Sequence, residues 1–388
     1  MKKIAVFFGG RSPEHDVSII TGQLVISGLK KLGHQVIPVY ITKEGVWYSG
    51  ESFSSLSFFK KKDKEDEFKK EQRVVLDFDV LSKKLVLITK SGWGKKKEDI
   101  DIAFPAFHGL NGEDGTIQGL FELANIPYVG CGVAASAVAM DKILTKLFFK
   151  SIDVPTVDFI SFSNHEWLKN KTDILENTEK QLKWPLIIKP AKLGSSIGIS
   201  RAENQKELIS AIEVALHYDN SVLIENFIEN LRDITCAVLG RKGNLKTSLL
   251  QESLFKDKLF SYEDKYINDG GAQTGKAEDS LVIPADINKE LTDKIQELSR
   301  HIYTKLNCEG IARVDFLYNK KEEKVYSIEI NTMPGTLYHH LWEKSGLKLS
   351  ELLSNLLISA EDRQKEKDSL SHVFDSEILN QITSTKLK

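Results

Sequence analysis

Residues 310–335 read GIARVDFLYNKKEEKVYSIEINTMPG, and their pairing decides how the rest of the chain is understood. VDFLY and KVYSIEI alternate apolar and polar positions around a solvated NKKEEK turn, so the stretch predicts a β-hairpin. Directly opposed residues in a hairpin have numbers with a constant sum. A turn centred near Glu322 sets Asp315 against Glu329 and Arg313 against Asn331, with all four on one face. Opposed carboxylates repel on a solvent-facing sheet, and a divalent cation between them removes the repulsion. Magnesium takes hard oxygen ligands, commonly one or two carboxylates with substrate phosphates and water; Asp315, Glu329 and the Asn331 amide supply that set. The other reading of the same pattern is a hairpin with a polar face. Thr332, Met333, Pro334 and Gly335 then close the second strand in a turn where Gly335 lets backbone N–H groups approach an oxyanion.

The 388 residues suffice for two or three domains, and 41% hydrophobic with 28% charged content is that of an ordinary soluble protein. A formal net charge of −2 argues against nucleic acid or a membrane surface as partner. Cys131, Cys236 and Cys308 lie far apart without C-x-x-C spacing, which points to three small buried hydrophobes rather than zinc ligands or a disulfide framework. MKKIAVFFGG is too short in apolar residues for a secretory leader, and no later run approaches a membrane span. The expectation is a cytoplasmic protein.

From the start, KIAVFF (3–8) is a strand, GGRSPEHDVS a loop, and the next segment a helix with Val17, Ile20, Leu24 and Leu32 inward. Strand, glycine turn and helix open a doubly wound parallel sheet with a ligand site at the strand's carboxyl end. Glu14 is either a charge partner of the helix terminus or a carboxylate aimed into a cleft to hold an ammonium group. HQVIPVYIT (34–42) is a second strand, 51–73 a solvated charged insertion, and 74–90 a hairpin or meander. A strand ending at His108 leads into a glycine-rich loop with Glu113 and Asp114, then a helix with Ile117, Leu120, Phe121 and Ala124 on one face. Those acids either edge a ligand site or cap their own helix. One helix from about 133 to 150 turns Ala137, Met140, Leu144 and Leu147 inward and leaves Lys142 off the stripe, in solvent.

Pro155 marks a change of character. WPLIIKPAKLGSSIGIS (184–200) reads as strand, turn, strand; it is no Walker A loop, but Gly194, Ser195 and Ser196 offer successive N–H groups and hydroxyls to phosphate. A Ser-Gly turn without a ligand is the alternative. Lys189 closes a buried strand, a costly place for a lysine unless an anion meets it, and this favours phosphate. After a helix at about 204–217, SVLIENFI ends in polar residues, Glu225 among them, suited to a purine edge and ribose, and Asp233 follows. Residues 256–285 are polar, weakly patterned and longer than a connection, as a lid would be. Residues 286–308 form an amphipathic helix with Ile287, Leu291, Ile295, Leu298, Ile302 and Leu306 inward. A last helix spans 349–361, and the charged tail 362–388 is peripheral or disordered.

Taken in order, FFGGRSPEHDVS, FHGLNGEDGTIQGLFELANIPYVGCGVAASAVAMDK, KPAKLGSSIGIS, EDKY, GIARVDF and EINTMPG resemble the motifs of the ATP-grasp superfamily and, within it, of the D-alanine:D-alanine ligase family, over about residues 3–350. The resemblance implies an α/β and α+β chain. A doubly wound (pre-ATP-grasp) parallel-sheet domain over 1–130 would precede an ATP-grasp fold made of a central subdomain, 131–230, and a C-terminal one, 231–361, with the metal site and the lid. It implies that ATP phosphorylates one D-alanine carboxylate and that the amine of a second attacks the acyl phosphate, giving a dipeptide for peptidoglycan precursors. By the same motif match, Lys142 and Lys189 neutralise ATP phosphates beneath Gly194, Ser195 and Ser196, while Glu225 and Asp233 bind the nucleoside. Asp315, Glu329 and Asn331 hold two Mg2+ ions, with Mn2+ as a substitute; Arg313 and the Gly335 N–H stabilise the transferred phosphoryl group and the tetrahedral oxyanion. Glu14 holds the first substrate's ammonium, linked to Ser195 and the lid residue Tyr266 in a set that shuts out water. A homodimer through the amino-terminal domain is also implied.

The chain departs from that pattern in three places. The family has glutamate where Asp233 stands, and the lid beyond Lys265 is longer than in many members. PGTLYHHLW is shorter than the family's segment, which carries a serine for the second substrate's carboxylate; Thr336 is the hydroxyl there. A D-alanine:D-serine ligase, or another ATP-grasp amino-acid ligase, is therefore the second reading, while Tyr266 separates the chain from D-lactate-using relatives. From a different class comes an ATP-binding regulatory protein without catalysis, against which the intact Arg313, Asp315, Glu329, Asn331 and both lysines speak.

Overall fold

The structure is a computed structural model, and it describes residues 1–61, 68, 71–79, 84–89, 97–254 and 281–381. Strand β1 (Lys3–Gly9) is flanked in parallel by β2 (Gln35–Ile41) and β7 (Ile102–Pro105). Its alternate residues feed two cores: Ile4, Val6 and Phe8 pack on the side of helix α1 (His15–Lys31), Ala5 and Phe7 on the side of Phe121. Covering both faces in this way is the doubly wound arrangement. The parallel part is the three-stranded end of a seven-stranded mixed sheet, which continues through β3 (Trp47–Ser49), β4 (Gln72–Asp79), β5 (Lys84–Thr89) and β6 (Lys97–Ile100) as an antiparallel meander.

Helix α1 uses only part of the stripe expected of it: Val17 is buried and Leu32 packs against the core. Ile20 is 41% exposed, while Val17, Ile19, Val25, Ile26 and Leu29 are buried. The helix docks through a small residue: a Cβ on Gly22 would meet Phe8 at 2.6 Å, so the contact face is centred where apolar periodicity carries no signal. The start of the expected solvated insertion is likewise anchored. A 3-10 turn (Glu51–Ser54) and helix α2 (Leu56–Lys60) bury Phe53 and Phe58, whose ring centres are 4.9 Å apart, and Phe53 lies 5.3 Å from Tyr40.

Helix α3 (Thr116–Leu123) precedes two further helices where one was expected, α4 (Val133–Met140) and α5 (Lys142–Ser151). The Asp141 carboxylate between them accepts from the N–H groups of Ile143 and Leu144, a helix N-cap that restarts the helix and rotates its faces. As a result Leu144 and Leu147 are 46% and 52% exposed and Lys142 is buried, the reverse of the expectation.

The second sheet is antiparallel in the order β10-β9-β11-β8, from β8 (Phe159–Ser163), β9 (Leu186–Pro190), β10 (Ser200–Ala202) and β11 (Ser221–Asn226). It packs under α6 (Asn164–Gln181) and α7 (Gln205–Tyr218) on a core of its own. The third sheet runs β14-β13-β12-β15-β16, from β12 (Leu231–Arg241), β13 (Asn244–Ser253), β14 (Leu281–Val282), β15 (Gly310–Asn319) and β16 (Lys324–Asn331). Helix α8 (Lys289–Lys305) covers it with Ile295 and Ile302, as its periodicity requires. Of the expected lid, residues 255–280, and with them Tyr266, lie outside the described residues.

The hairpin has the expected register, Arg313 opposite Asn331 and Asp315 opposite Glu329. A bulge after Asp315 changes the sum by one, so Phe316 faces Ser327 and Asn319 faces Lys324. Beyond it come a 3-10 turn (Gly335–Tyr338), α9 (His339–Lys344), α10 (Leu349–Asp368) and α11 (Ile378–Gln381). Helix α10 runs on past residue 361, and its end is docked rather than peripheral. Arg363 donates to the carbonyls of Tyr128 (2.5 Å) and Gly130 (2.7 Å), Glu366 meets Arg241 at 2.7 Å, and Lys367 meets Glu122 at 2.5 Å.

Candidate active site

The loops at the carboxyl ends of β1 and β7, the turn between β9 and β10, and the β15–β16 hairpin meet around one cleft. Glu14, His108, Glu113, Lys142, Gly194, Ser195, Arg313, Glu329, Asn331 and Gly335 line it. Glu14 stands at the amino end of α1 yet makes no capping bond; its buried carboxylate accepts from Ser195 Oγ instead. A Cβ on Gly194 would come within 2.8 Å of both Glu14 oxygens, so glycine is what lets the loop close on that carboxylate. Of the two readings of Glu14, the structure takes the cleft. Ser195 and Ser196 hold left-handed φ values of 54° and 59°, each costing on the order of 1 kcal/mol for a non-glycine residue.

On the hairpin, Arg313 Nε donates to Asp315 Oδ1 (2.8 Å) and Nη2 to Oδ2 (2.5 Å), and Nη2 lies 3.7 Å from Glu329 Oε1. Asn331 Nδ2 reaches Asp315 Oδ2 at 3.2 Å and Glu329 Oε1 at 3.4 Å, and Thr235 Oγ1 donates to Asp315 Oδ1 at 3.1 Å. The positive charge that reconciles the two carboxylates is therefore Arg313 itself. Burial opposes that charge, but the Asp315 carboxylate, Tyr338 and Glu329 hold the guanidinium's pKa well above its ordinary value. The case for a metal thus rests on donor chemistry rather than on repulsion. Glu329 and Asn331 line the cleft, and Asp315, which does not, contacts Asn331 at 3.2 Å; two hard carboxylates and an amide suit Mg2+ whose remaining ligands are phosphate oxygens and water. Among the described residues, no cluster of three or more His, Cys, Asp or Glu gathers for a softer ion.

On the side of the second sheet, Lys189 is paired with Glu225 Oε1, and Lys146 Nζ lies 2.8 Å from Oε2. The anion that meets Lys189 is thus internal to the protein. Burial pushes the Glu225 carboxyl up; Lys146 and Lys189 outweigh it and hold the group at about 2. Two lysines against one carboxylate leave a net positive charge beside the GSSIG loop. Lys146, 1% exposed, also donates to Thr156 Oγ1 (3.0 Å) and escaped sequence reasoning. Its signal was the N-cap: with a helix starting at Asp141, Lys142 and Lys146 share a face four residues apart. Lys142 Nζ donates to the Leu193 carbonyl, tying α5 to the turn between β9 and β10. Asp233 lies two residues before Thr235 on β12, on the sheet face that carries Asp315.

The two loop acids divide the alternatives between them. Asp114 accepts from the N–H groups of Thr116 (3.0 Å) and Asn111 (2.8 Å) and caps its helix. Glu113 edges the cleft, accepting from Gly109 N at 2.7 Å with His108 Nδ1 3.9 Å away. Burial and the neighbouring Glu14 push the Glu113 carboxyl up to about 8; burial and Arg313 push His108 down to about 4. Thr21, another residue the sequence did not single out, holds His108 Nε2 at 2.7 Å and accepts from Thr336 N at 3.0 Å. The Thr336 hydroxyl donates to the Gly335 carbonyl at 2.8 Å, back into its own turn.

Fold and cleft together define a class, the nucleotide-dependent ligases of the ATP-grasp type. Family models described as D-ala D-ala ligase N-terminus and D-ala D-ala ligase C-terminus match residues 3–131 and 148–358, and the chain belongs to that family. The D-alanine--D-alanine ligase of Thermosipho melanesiensis is 40% identical over 98% of each chain, and that of Natranaerobius thermophilus 38% identical over 96% of this chain and 99% of its own. Among solved structures, VanG D-Ala:D-Ser ligase of Enterococcus faecalis superimposes with a TM-score of 0.77 at 32% identity, covering 92% of this chain and 99% of that one. The D-alanine-D-alanine ligase of Coxiella burnetii gives 0.75 at 30% identity over 95% and 96% of the two chains.

Proposed function

We propose that the chain joins two D-alanine molecules to D-alanyl-D-alanine at the expense of ATP. The first carboxylate attacks the γ-phosphorus and ADP leaves; the second amine then attacks the acyl carbon, loses its proton, and phosphate departs. The observation that carries this reading is convergence: three sheets bring Glu14, Lys142, Ser195, Arg313, Glu329 and Asn331 to one cleft. Glu14 would hold the first ammonium group, with Ser195 fixing the carboxylate's orientation. Lys142 and the net positive Lys146–Glu225–Lys189 cluster would face the phosphates, beneath Gly194, Ser195 and Ser196, and Glu225 and Asp233 would lie toward the nucleoside. Arg313 and the Gly335 N–H would meet the charge that develops on the transferred phosphoryl group and on the tetrahedral oxygen. Asp315, Glu329 and Asn331 would hold Mg2+, which supplies charge neutralisation at the phosphates when bound.

In this assignment residues 1–130 bind the first substrate, and 131–230 with 231–361 hold the nucleotide. A cytoplasmic homodimer feeding peptidoglycan precursors follows from the family resemblance. The short PGTLYHHLW segment and the likeness to VanG D-Ala:D-Ser ligase support D-serine as a second acceptor. Phosphate release from Mg-ATP, with D-alanine, L-alanine, D-serine and D-lactate offered singly and in pairs and products weighed by mass spectrometry, separates the readings. D-alanine alone is expected to drive turnover and yield its dipeptide. Turnover only with a second, different amino acid would shift the specificity, and ATP binding without turnover would leave a regulatory protein.

A further inference from the structure

Thr336, Leu337 and Tyr338 hold φ values of 49°, 56° and 49°, three successive non-glycine residues in the left-handed region. Such a run persists only where its surroundings over-determine it, and an outlier of this kind is a reason to look for function. Leu337 is fully buried in the core that joins the first and third sheets, Leu337 N donates to Pro334 O at 2.8 Å, and Thr336 N is tied to Thr21. What the turn delivers is the Tyr338 ring, whose centre lies 5.0 Å from the Arg313 guanidinium carbon. Neither side chain is free to wander, Tyr338 being 3% and Arg313 4% exposed.

We propose that Tyr338 is a positioning residue for Arg313, held in place by a relay through Gln251 to His340; the inference rests on the role given to Arg313 above. Asp315 fixes the guanidinium within its plane, and the tyrosine ring supplies the cation–π contact that fixes it out of that plane. Gln251, fully buried on β13, donates from Nε2 to Tyr338 Oη at 3.3 Å, and its Oε1 lies 2.7 Å from His340 Nε2. The amide oxygen can only accept, so His340 carries its proton on Nε2. His340 Nδ1 is buried without a hydrogen-bond partner among the described residues, which leaves the ring a single useful bond, the one to Gln251. Without the relay the tyrosine would be one strained residue among three; with it, the short YHH segment becomes a brace for the group that meets the transferring phosphoryl.

A guanidinium preorganised for the transition state raises kcat rather than substrate affinity. Steady-state phosphate release from Mg-ATP and D-alanine would therefore be compared for the wild-type chain, Tyr338→Leu, Tyr338→Phe, Gln251→Leu, Arg313→Lys and Tyr338→Leu with Arg313→Lys. Tyr338→Leu is expected to lower kcat about tenfold with the KM for ATP unchanged, and Tyr338→Phe, which keeps the ring, to recover most of that loss. Gln251→Leu should lower kcat about threefold. In the Arg313→Lys background, Tyr338→Leu should add less than about twofold, because its target is already gone. Wild-type kcat in Tyr338→Leu, a loss confined to KM, or a full additive loss in the Arg313→Lys background would each overturn the proposal. Should Tyr338→Leu fail to fold, unchanged kcat in Gln251→Leu overturns it instead. Full turnover by Arg313→Lys is a separate outcome: it removes the role of Arg313 itself, and the tyrosine's with it.

Discussion

On the second sheet Glu225 is 3% exposed and faces a lysine on each oxygen, whereas on the third sheet the Glu329 side chain is 25% exposed, with Arg313 at 3.7 Å and Asn331 at 3.4 Å. In the first cluster both carboxylate oxygens are met within the protein, and the charge of the second lysine is in excess. The second keeps carboxylate oxygen at the cleft, with Arg313 shared between Asp315 and Glu329. Substitutions in the two places should therefore separate stability from activity, although each cluster sets a carboxylate against a cation.

The largest effect should come from Glu329→Gln, which removes charge at the proposed Mg2+ site. Turnover is expected to fall by about 10² to 10³, while the thermal unfolding midpoint stays close to that of the wild type; near-normal turnover would remove the metal role from this residue. Lys146→Met should show the opposite balance. It strips one cation from a buried carboxylate and is expected to cost about 3 kcal/mol in urea unfolding, with saturating-ATP turnover reduced less than tenfold. Equal losses of stability and turnover would erase the contrast between the clusters. Glu113→Gln sharpens the comparison with a third carboxyl, one held neutral. With its folded pKa raised to about 8, Glu113 is protonated in the native state at pH 7 and ionised in the unfolded chain, so folding takes up a proton. The wild type then loses stability as pH rises from the ordinary carboxyl range to about 8, the point at which Glu113 would ionise beside Glu14, His108 and Arg313. Glu113→Gln should leave turnover at pH 7 nearly unchanged, and its stability gain over the wild type should grow across that window and level off above it. A gain that does not vary with pH would count against a neutral Glu113.

These clusters also show what a sequence makes legible. The hairpin could be read because strand pairing is local and has period two, so Asp315, Glu329, Arg313 and Asn331 followed from one turn position; only the bulge after Asp315 was silent. The lysine cluster could not be read the same way. The apolar residues of 133–150 continue a helical period straight through Asp141, and counting them outweighed the capping signal that breaks the helix and buries Lys142 and Lys146. Partners distant in sequence were invisible for a plainer reason. Nothing local to Arg363 or Lys367 announces Tyr128, Gly130 or Glu122, so a docked helix end looked like a charged tail. Around Phe53 and Phe58, lysines and acids masked an aromatic anchor.

The cores have a mechanical consequence. Ile4, Val6 and Phe8 of the first sheet share one core with Ala237, Leu239 and Ile311 of the third and with Leu352 and Leu353 of α10, whereas the second sheet keeps its core to itself. Three sheets therefore make two packing units, a large one and a smaller one. The Lys146–Glu225 pair crosses the seam between them, from a helix packed on the third sheet to a strand of the second. Parting the two units at that point would break a buried ion pair and leave its charges unsatisfied in the interior, so the pair pins the seam.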